Sequence, residues 1–332
     1  MLSLSPSRAS DLVARFAGLP VLVVGDIMLD RFIVGRVTRM SPEAPVPVVQ
    51  FQSEYFLLGG AANVAHNIAA LGGRPSLIGL VGADEAARKV RAELAAAGLG
   101  VDGLVEDRDR PTTEKVRVVT ERHQQVARID YEREADASGE VERAIVDRVT
   151  RLGRGAKALM VSDYLKGTVT RDVVRALTRR ASLSGERSSV PLIIDPKIPH
   201  LDFYAGATLV TPNHHEAETA THRRIRTDDD AREAGRDFRR RAQCDAVLIT
   251  RGDQGMWVSE DGAEGSIPAV ARDVADVTGA GDTVAATLAL ALAAGATLTE
   301  AAILANHAAG IVVGKFGPAT VSRDELRAAL NV

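Results

Sequence analysis

The sequence predicts a doubly wound α/β fold: a mostly parallel sheet with helices on both faces and a small β lid inserted in it. Three observations lead there. The run Pro20-Val-Leu-Val-Val-Gly25 is apolar throughout and ends in glycine; such a run reads as a central parallel strand, covered on both faces. From Gly139 onward short apolar runs alternate with helical stretches, the rhythm of βα units. Polar residues follow several of the apolar runs, and the carboxyl edge of an open α/β sheet is where ligands bind.

Composition narrows the classes. The chain has 332 residues with 45% hydrophobic and 26% charged, the balance of a globular protein of one large or two smaller domains. A net charge of −3 gives no basic field for nucleic acid. The single Cys244 excludes an intramolecular disulfide framework and a multi-cysteine metal site, and fits a reducing cytoplasm. Residues 1–15 contain no apolar signal segment and read as a short surface helix. The longest apolar tract, Val284–Ala294, is too short to span a bilayer and reads as a buried helix.

The elements follow in order. Asp26 and Asp30 stand after the first strand, where a carboxylate accepts hydrogen bonds from sugar hydroxyls or caps a turn; the turn suits Asp26 better than Asp30. Residues 31–52 carry prolines at 42, 45 and 47, which belong on edge strands of a small flap. Gly59-Gly-Ala-Ala-Asn63 opens a helix to Leu71, stopped by Gly72-Gly73. Paired glycines there admit a ligand, and Asn63 offers a donor and an acceptor to a polyol; a glycine turn with a capping Asn is the alternative. A strand at Ser76–Val81 and a helix at Glu85–Ala97 come next. Glu114–Thr120 and Gln125–Tyr131 read as a hairpin, joined to the flap as a lid (about 31–52 and 112–131) on a single domain spanning 1–332. Helices at 141–152, 171–181 and 229–241 then alternate with strands at 158–161, 192–194, 208–210 and 246–250, and helices at 283–294 and 298–313 close the chain.

Chemistry concentrates in Val274-Ala-Asp-Val-Thr-Gly-Ala-Gly-Asp-Thr-Val284. Gly279, Ala280 and Gly281 would present unpaired amides at a helix N-terminus, a place that binds phosphate. Asp282 in the first turn either caps the helix or takes the proton of a substrate hydroxyl during phosphoryl transfer. Elsewhere, Lys197 after Asp195-Pro would neutralise phosphate charge. Asn213 and Glu216, at i, i+3, share a helix face and would hold Mg²⁺ through its waters, or cap that helix. His214 and His215 are read as pointing apart and, with no third ligand spaced for it, bind no zinc.

These motifs resemble the ribokinase-like (PfkB) carbohydrate kinases over nearly the whole chain. One family motif is matched by Gly59, Gly60, Asn63, Ala65, Gly72 and Gly82; a second by Asp276, Thr278, Gly279, Ala280, Gly281, Asp282 and Thr283; the N-x-x-E motif by Asn213 and Glu216. Met40-Ser-Pro-Glu-Ala-Pro-Val-Pro-Val48, Gln124-Gln-Val-Ala-Arg-Ile-Asp130, Ser162-Asp-Tyr-Leu-Lys-Gly167 and Gly310-Ile-Val-Val-Gly-Lys-Phe-Gly317 are similar to segments of the D-glycero-β-D-manno-heptose 7-phosphate kinases. Ile198-Pro-His200 and His214-His215 depart from that pattern. With no H-x-G-H motif, the chain looks like a stand-alone kinase or the kinase domain of the bifunctional heptose kinase/adenylyltransferase.

The resemblance implies ATP-dependent phosphorylation of the heptose 7-phosphate at O1, toward ADP-heptose and lipopolysaccharide. It places Asp282 as the base, Gly279–Gly281 as the anion hole, and Thr250, Gly252, Asn306, Asn213 and Lys197 around the nucleotide. Asp30, Gly59, Gly60 and Asn63 would hold the sugar; Arg39, Arg117 and Arg128 on the lid are the candidates for its phosphate, or else surface arginines on exposed strands. Asp276 and Thr278 would bind a monovalent cation, potassium. An Asp with a pKa of about 3.9 is a weak base, sufficient where positioning and charge neutralisation dominate. The partner is a small sugar phosphate, with no nucleic acid or membrane; a homodimer through the lid would support strands that are marginal alone. The alternatives are a kinase of the same fold for another sugar, sugar phosphate or nucleoside, and a non-catalytic sugar or nucleotide sensor.

Overall fold

A computed structural model describes residues 3–182, 190–270 and 274–331. Helix α1 (Pro6–Ala14) is capped by Ser5 and starts with proline, which needs no N–H there. It is not merely a surface helix: Ala9, Leu12, Val13 and the following Phe16 are buried. Strand β1 (Pro20–Gly25) is buried at five successive positions, as its apolar run requires. One residue later β2 (Ile27–Met40) leaves the core, and β3 (Pro47–Gly60) returns. Helix α2 (Ala61–Ala70), β4 (Arg74–Val81), α3 (Glu85–Ala96) and β5 (Leu104–Glu106) complete the first half of the main layer.

Strands β6 (Glu114–Thr120) and β7 (Gln125–Tyr131) form the hairpin read from sequence, residue for residue. Then come α4 (Gly139–Leu152), β8 (Ala158–Ser162), α5 (Arg171–Ser182), β9 (Leu192–Asp195), β10 (Leu209–Val210), α6 (His214–Thr221), α7 (Asp228–Ala242) and β11 (Ala246–Thr250). An antiparallel pair missed in the sequence follows, β12 (Met256–Glu260) and β13 (Ala263–Ile267). Its signal was Asp261-Gly262 between them, a favoured two-residue hairpin turn. Helices α8 (Ala280–Ala293) and α9 (Leu298–Val312) do not close the chain: α10 (Arg323–Leu330), with a capping box of Ser322 and Glu325, comes after.

The nine-stranded sheet has the order β13-β12-β11-β10-β9-β8-β1-β4-β5. Pairing is parallel from β5 to β11 and antiparallel at β12 and β13. Alternate residues of β1 enter opposite layers. Val21 and Val23 pack with α1, α2, α3, α8, α9 and α10, whereas Leu22 and Val24 pack with α4, α5, α6 and α7. The chain runs outward from β1 to β4 and β5, then resumes on the other side at β8. The β1/β8 boundary is therefore the topological switch point, where a crevice opens at the strand carboxyl ends.

A second sheet, ordered β3-β2-β6-β7, stands over that crevice. Its interior strand β2 pairs antiparallel with β3 and parallel with β6. The flap strands are longer than their proline pattern suggested, 14 residues each in β2 and β3; Pro42 and Pro45 lie in the turn and Pro47 starts the edge strand β3. No helix among the described residues is long and apolar enough to cross a membrane.

Candidate active site

Gly279 caps α8 with φ +78°, and no side chain caps that helix. A Cβ at Gly279 would lie 2.8 Å from Asn63 Nδ2 and 3.2 Å from Pro318 Cα, so both backbone angle and space require glycine. At Gly281 a Cβ would meet nothing within 4 Å; this face of the turn is open. Helix geometry leaves first-turn amides without intrahelical acceptors. One of the three expected to be unpaired is not: Ala280 N–H donates to Val277 O at 3.2 Å.

Asp282 is buried, 4% exposed. Asn63 Nδ2 donates to its Oδ2 at 2.8 Å and Tyr164 OH to its Oδ1 at 2.9 Å. Burial pushes its pKa up to about 6 against the lowering effect of these two bonds; Asp30 adds to the rise and Lys197 opposes it. The ordinary, weakly basic aspartate expected from sequence is thus corrected: desolvation brings it close to neutral operating pH, where a general base works best. Asn63 is fully buried, with Asn67 Nδ2 donating to its Oδ1 at 3.2 Å and its own Nδ2 turned to Asp282.

The strand ends divide into supports and site. Asp26 accepts from the amides of Tyr164 (2.8 Å), Lys166 (3.0 Å) and Thr168 (2.9 Å), so it shapes the loop after β8, the turn role that suited it. Asp163 accepts from His200 Nδ1 and Tyr204 OH, each at 2.7 Å, and from Leu165 N–H at 2.9 Å. Asn213 and Glu216 form a reciprocal capping box, each side chain accepting the other's amide at 2.9 Å. Glu216 Oε1 is left to pair with Lys197, whose ammonium lies 5.3 Å from the Tyr164 ring centre. Burial, then the neighbouring Glu216, holds the Asp195 carboxyl well above the usual carboxylate range. The rings of His214 and His215 do not point apart as read; their centroids are 3.8 Å apart. Among the described residues no group of three or more His, Cys, Asp or Glu is placed to hold a metal. Asp276 Oδ1 accepts from Thr278 N–H (2.9 Å) and Oγ1 (2.7 Å), and Oδ2 from Gly317 N–H (2.9 Å). Burial would raise the Asp276 pKa, but these bonds outweigh it and lower it.

From the lid, Asp30 reaches the crevice, buried and ion-paired with Arg117. Burial outweighs Arg117 and raises the Asp30 pKa. Gly60 (φ +56°) is required here, since a Cβ on it would collide with Asp26 O, and a Cβ on Gly59 would sit 2.6 Å from Asp30 Oδ2 and displace that carboxylate. Arg128 lies directly across from Arg117 in the β6–β7 ladder and pairs with Asp130 at 3.0 Å. Arg39 is exposed and nine residues beyond Asp30 on β2, on the order of 30 Å along a strand, so the structure does not bring it together with Asp30 and Arg117.

Beside Gly281 opens a cavity of about 360 Å³ whose lining includes Thr250, Gly252, Met256, Ala280, Asn306 and Val313. Asn306 Nδ2 also donates to Pro268 O at 2.6 Å. Three residues assigned to the nucleotide from sequence thus share one cavity with Ala280 and Gly281 of the turn. Sequence reasoning did not single out Tyr164 or Asp195 as site residues. The signal available was their position at or just past the carboxyl ends of apolar strands, at the edge where the other site residues gather.

The chain is similar to the "Bifunctional protein HldE" of Bradyrhizobium diazoefficiens, 44% identical over 318 residues, which cover 95% of this chain and 64% of the relative. The protein of the same name from Caulobacter vibrioides is 48% identical, with the same coverages. This chain therefore spans less than two thirds of the length of these curated relatives. Among solved structures, Escherichia coli phosphofructokinase-2 in complex with substrates and products shares the fold at TM-score 0.76 and 20% identity, covering 95% of this chain and 99% of that one. Arabidopsis thaliana ribokinase complexed with ribose and ATP does so at TM-score 0.71 and 21%, with the same coverages. The sequence model of the pfkB family carbohydrate kinases matches residues 20–325, and this chain belongs to that family.

Proposed function

We propose that this chain transfers the γ-phosphoryl group of ATP to the O1 hydroxyl of D-glycero-β-D-manno-heptose 7-phosphate, a step toward ADP-heptose and lipopolysaccharide. The observation that carries the kinase reading is Asp282: a buried carboxylate with its pKa raised to about 6, at a helix start whose open Gly281 side borders the cavity. In this reading the nucleotide base lies against the Met256 and Val313 walls, near Thr250, Gly252 and Asn306. Its phosphates approach the turn at Gly279–Gly281. Asp282 takes the proton of the acceptor hydroxyl, held beneath the lid by Asp30 and the Gly59-Gly60 backbone. Lys197 and the turn amides neutralise charge on the transferring group.

The acids at the ends of β9 and α6 suit a divalent cation. Asp195 is held above the usual carboxylate range first by burial and then by the neighbouring charge of Glu216. Mg²⁺ held through its waters by Glu216 and Asn213 would offset that charge and screen the phosphates. A monovalent cation, potassium, belongs at Asp276 and Thr278.

Heptose 7-phosphate is favoured by the lid segments that resemble the heptose kinases and by the relatives named HldE. Arg117 and Arg128, side by side on the Asp30 face of the lid, are the cations for the distal phosphate. The opposite face carries exposed Val37, Phe51 and Ile129, the surface for a homodimer formed lid to lid in the cytoplasm.

The test is ADP release with Mg-ATP against D-glycero-D-manno-heptose 7-phosphate, fructose 6-phosphate, ribose and adenosine, with a no-sugar control. Turnover confined to the heptose phosphate supports the whole reading. Turnover on another acceptor keeps the kinase and removes the lid-based specificity. No acceptor-dependent ADP removes the kinase reading for this chain.

A further inference from the structure

Tyr164 is the second residue past β8, at the switch point of the sheet. Its hydroxyl donates to Asp282 Oδ1 at 2.9 Å, while the Asn63 amide donates to Oδ2 at 2.8 Å. Each carboxylate oxygen is thus gripped from a different element, α2 on one side and the β8 loop on the other. Rotating the carboxylate breaks both bonds. The loop cannot easily yield, because Asp26 holds three of its amides and Asp163 accepts a fourth, from Leu165. Burial, then the adjacent Asp282 charge, holds the Tyr164 pKa well above the usual phenol range, so the hydroxyl keeps its proton to donate. Two residues on, Lys166 Nζ bonds Glu132 Oε1 and Glu134 Oε1, each at 2.9 Å. Those glutamates stand one and three residues past the end of β7, at the root of the lid.

We propose that Tyr164 is the positioning residue for the base: with Asn63 it fixes the Asp282 carboxylate so that its remaining lone pairs meet the acceptor hydroxyl, and Lys166 couples this grip to the lid root. The proposal rests on the assignment of Asp282 as base. The groups facing Asp282 are Asn63 from α2, Tyr164 from the β8 loop, Asp30 from β2, and Asp195 and Lys197 from the end of β9. Asp30 and Asp195 oppose its ionisation; Lys197 and the two hydrogen bonds favour it. Loss of the phenol hydroxyl therefore makes the base harder to ionise and freer to turn.

Tyr164→Phe removes the hydroxyl and keeps the ring. The expected result is a kcat lower by roughly tenfold to a hundredfold, KM for both substrates within about twofold, and an acid limb of the pH profile moved up by about one unit, the size of one hydrogen bond to a charged group. In the same protein without substrates, the Asp282 carboxyl, identified in ¹³C NMR as the signal missing from Asp282→Asn, titrates at higher pH in Tyr164→Phe than in wild type. An unmoved carboxyl titration overturns the proposal, as does a shifted titration with unchanged kcat. If the wild type turns over no acceptor, the assignment of the base fails, while the NMR titration still decides whether Tyr164 governs Asp282. Should Tyr164→Phe not fold, Lys166→Met, which keeps the phenol and frees its loop from the lid, is expected to move the titration the same way by less; no movement overturns the proposal.

Discussion

Asn63 Nδ2 lies 2.8 Å from Asp282 Oδ2, although the two residues are 219 positions apart in the chain. Helix α2 and helix α8, which starts at the Gly279–Gly281 turn, meet through this bond. It makes the glycine motif of one half and the aspartate motif of the other parts of a single device.

Asp282→Asn is expected to lower acceptor-dependent ADP release by roughly 10²- to 10⁴-fold, the contribution of a positioned base. Folding is expected to survive or improve. The Asp282 pKa is raised in the fold, from 3.8 to about 6, so its stabilising contribution is complete below the unfolded value and lost as pH rises through about 6. A neutral amide escapes that loss, on the order of 3 kcal/mol for about two units. Thermal unfolding at about pH 7.5 and about pH 4 checks the sign: the variant gains on wild type at the higher pH and not at the lower.

The pH dependence of kcat/KM is expected to show an acid limb near the pKa of about 6, falling about tenfold per unit below it as the base protonates. Initial rates with both substrates varied at each pH measure this. A limb near that of an ordinary aspartate contradicts the desolvated base.

The two glycines of the turn are expected to respond differently to alanine. Gly279→Ala meets a positive φ and contacts at 2.8 and 3.2 Å, so it lowers the Tm and the activity together. Gly281→Ala meets nothing within 4 Å, so it folds as wild type and raises KM for ATP by placing a methyl group at the cavity edge. Thermal unfolding beside nucleotide titration separates them.

Arg117→Met leaves Asp30 buried without its cation. Breaking such a pair costs on the order of 3–5 kcal/mol. The Asp30 pKa, already raised by burial, rises further, so the loss is greater at about pH 8 than at about pH 5. KM for the phosphorylated sugar is expected to rise while KM for ATP holds.

Phe51, 61% exposed, gives the test of the lid-to-lid dimer. Wild type is expected to sediment as a dimer and Phe51→Glu as a monomer. A monomeric wild type removes the dimer from the reading.

Where a segment's own residues decide its structure, the sequence was legible. The run at β1 announced a strand covered on both faces, and the hairpin of β6 and β7 was bounded to the residue. The apolar tract after Asp282 announced a helix that proves buried from Asp282 to Ala291. What stayed hidden depends on residues far apart. Tyr164 meets Asp282 across 118 positions, and the desolvation that changes Asp282 is a property of its assembled surroundings. Asn63 carries the same amide whether it faces a sugar or a carboxylate; only the packing of α2 against α8 decides. Glu216 stood at a spacing that fits both a cap and a metal ligand, and the local hydrogen bonds form the cap.

Strand β2 begins one residue after β1 ends, and that residue is Asp26. The lid is therefore the long arm of a lever whose short arm is bolted into the core and whose pivot also grips the Tyr164 loop. Fourteen residues of strand extend on the order of 45 Å, so a tilt of about 5° at Asp26 would carry the tip about 4 Å. Tightness at the pivot and reach at the tip are set by the same short piece of chain. A substitution at Asp26 would change both how far the cover swings and how firmly the Asp282 carboxylate below it is held.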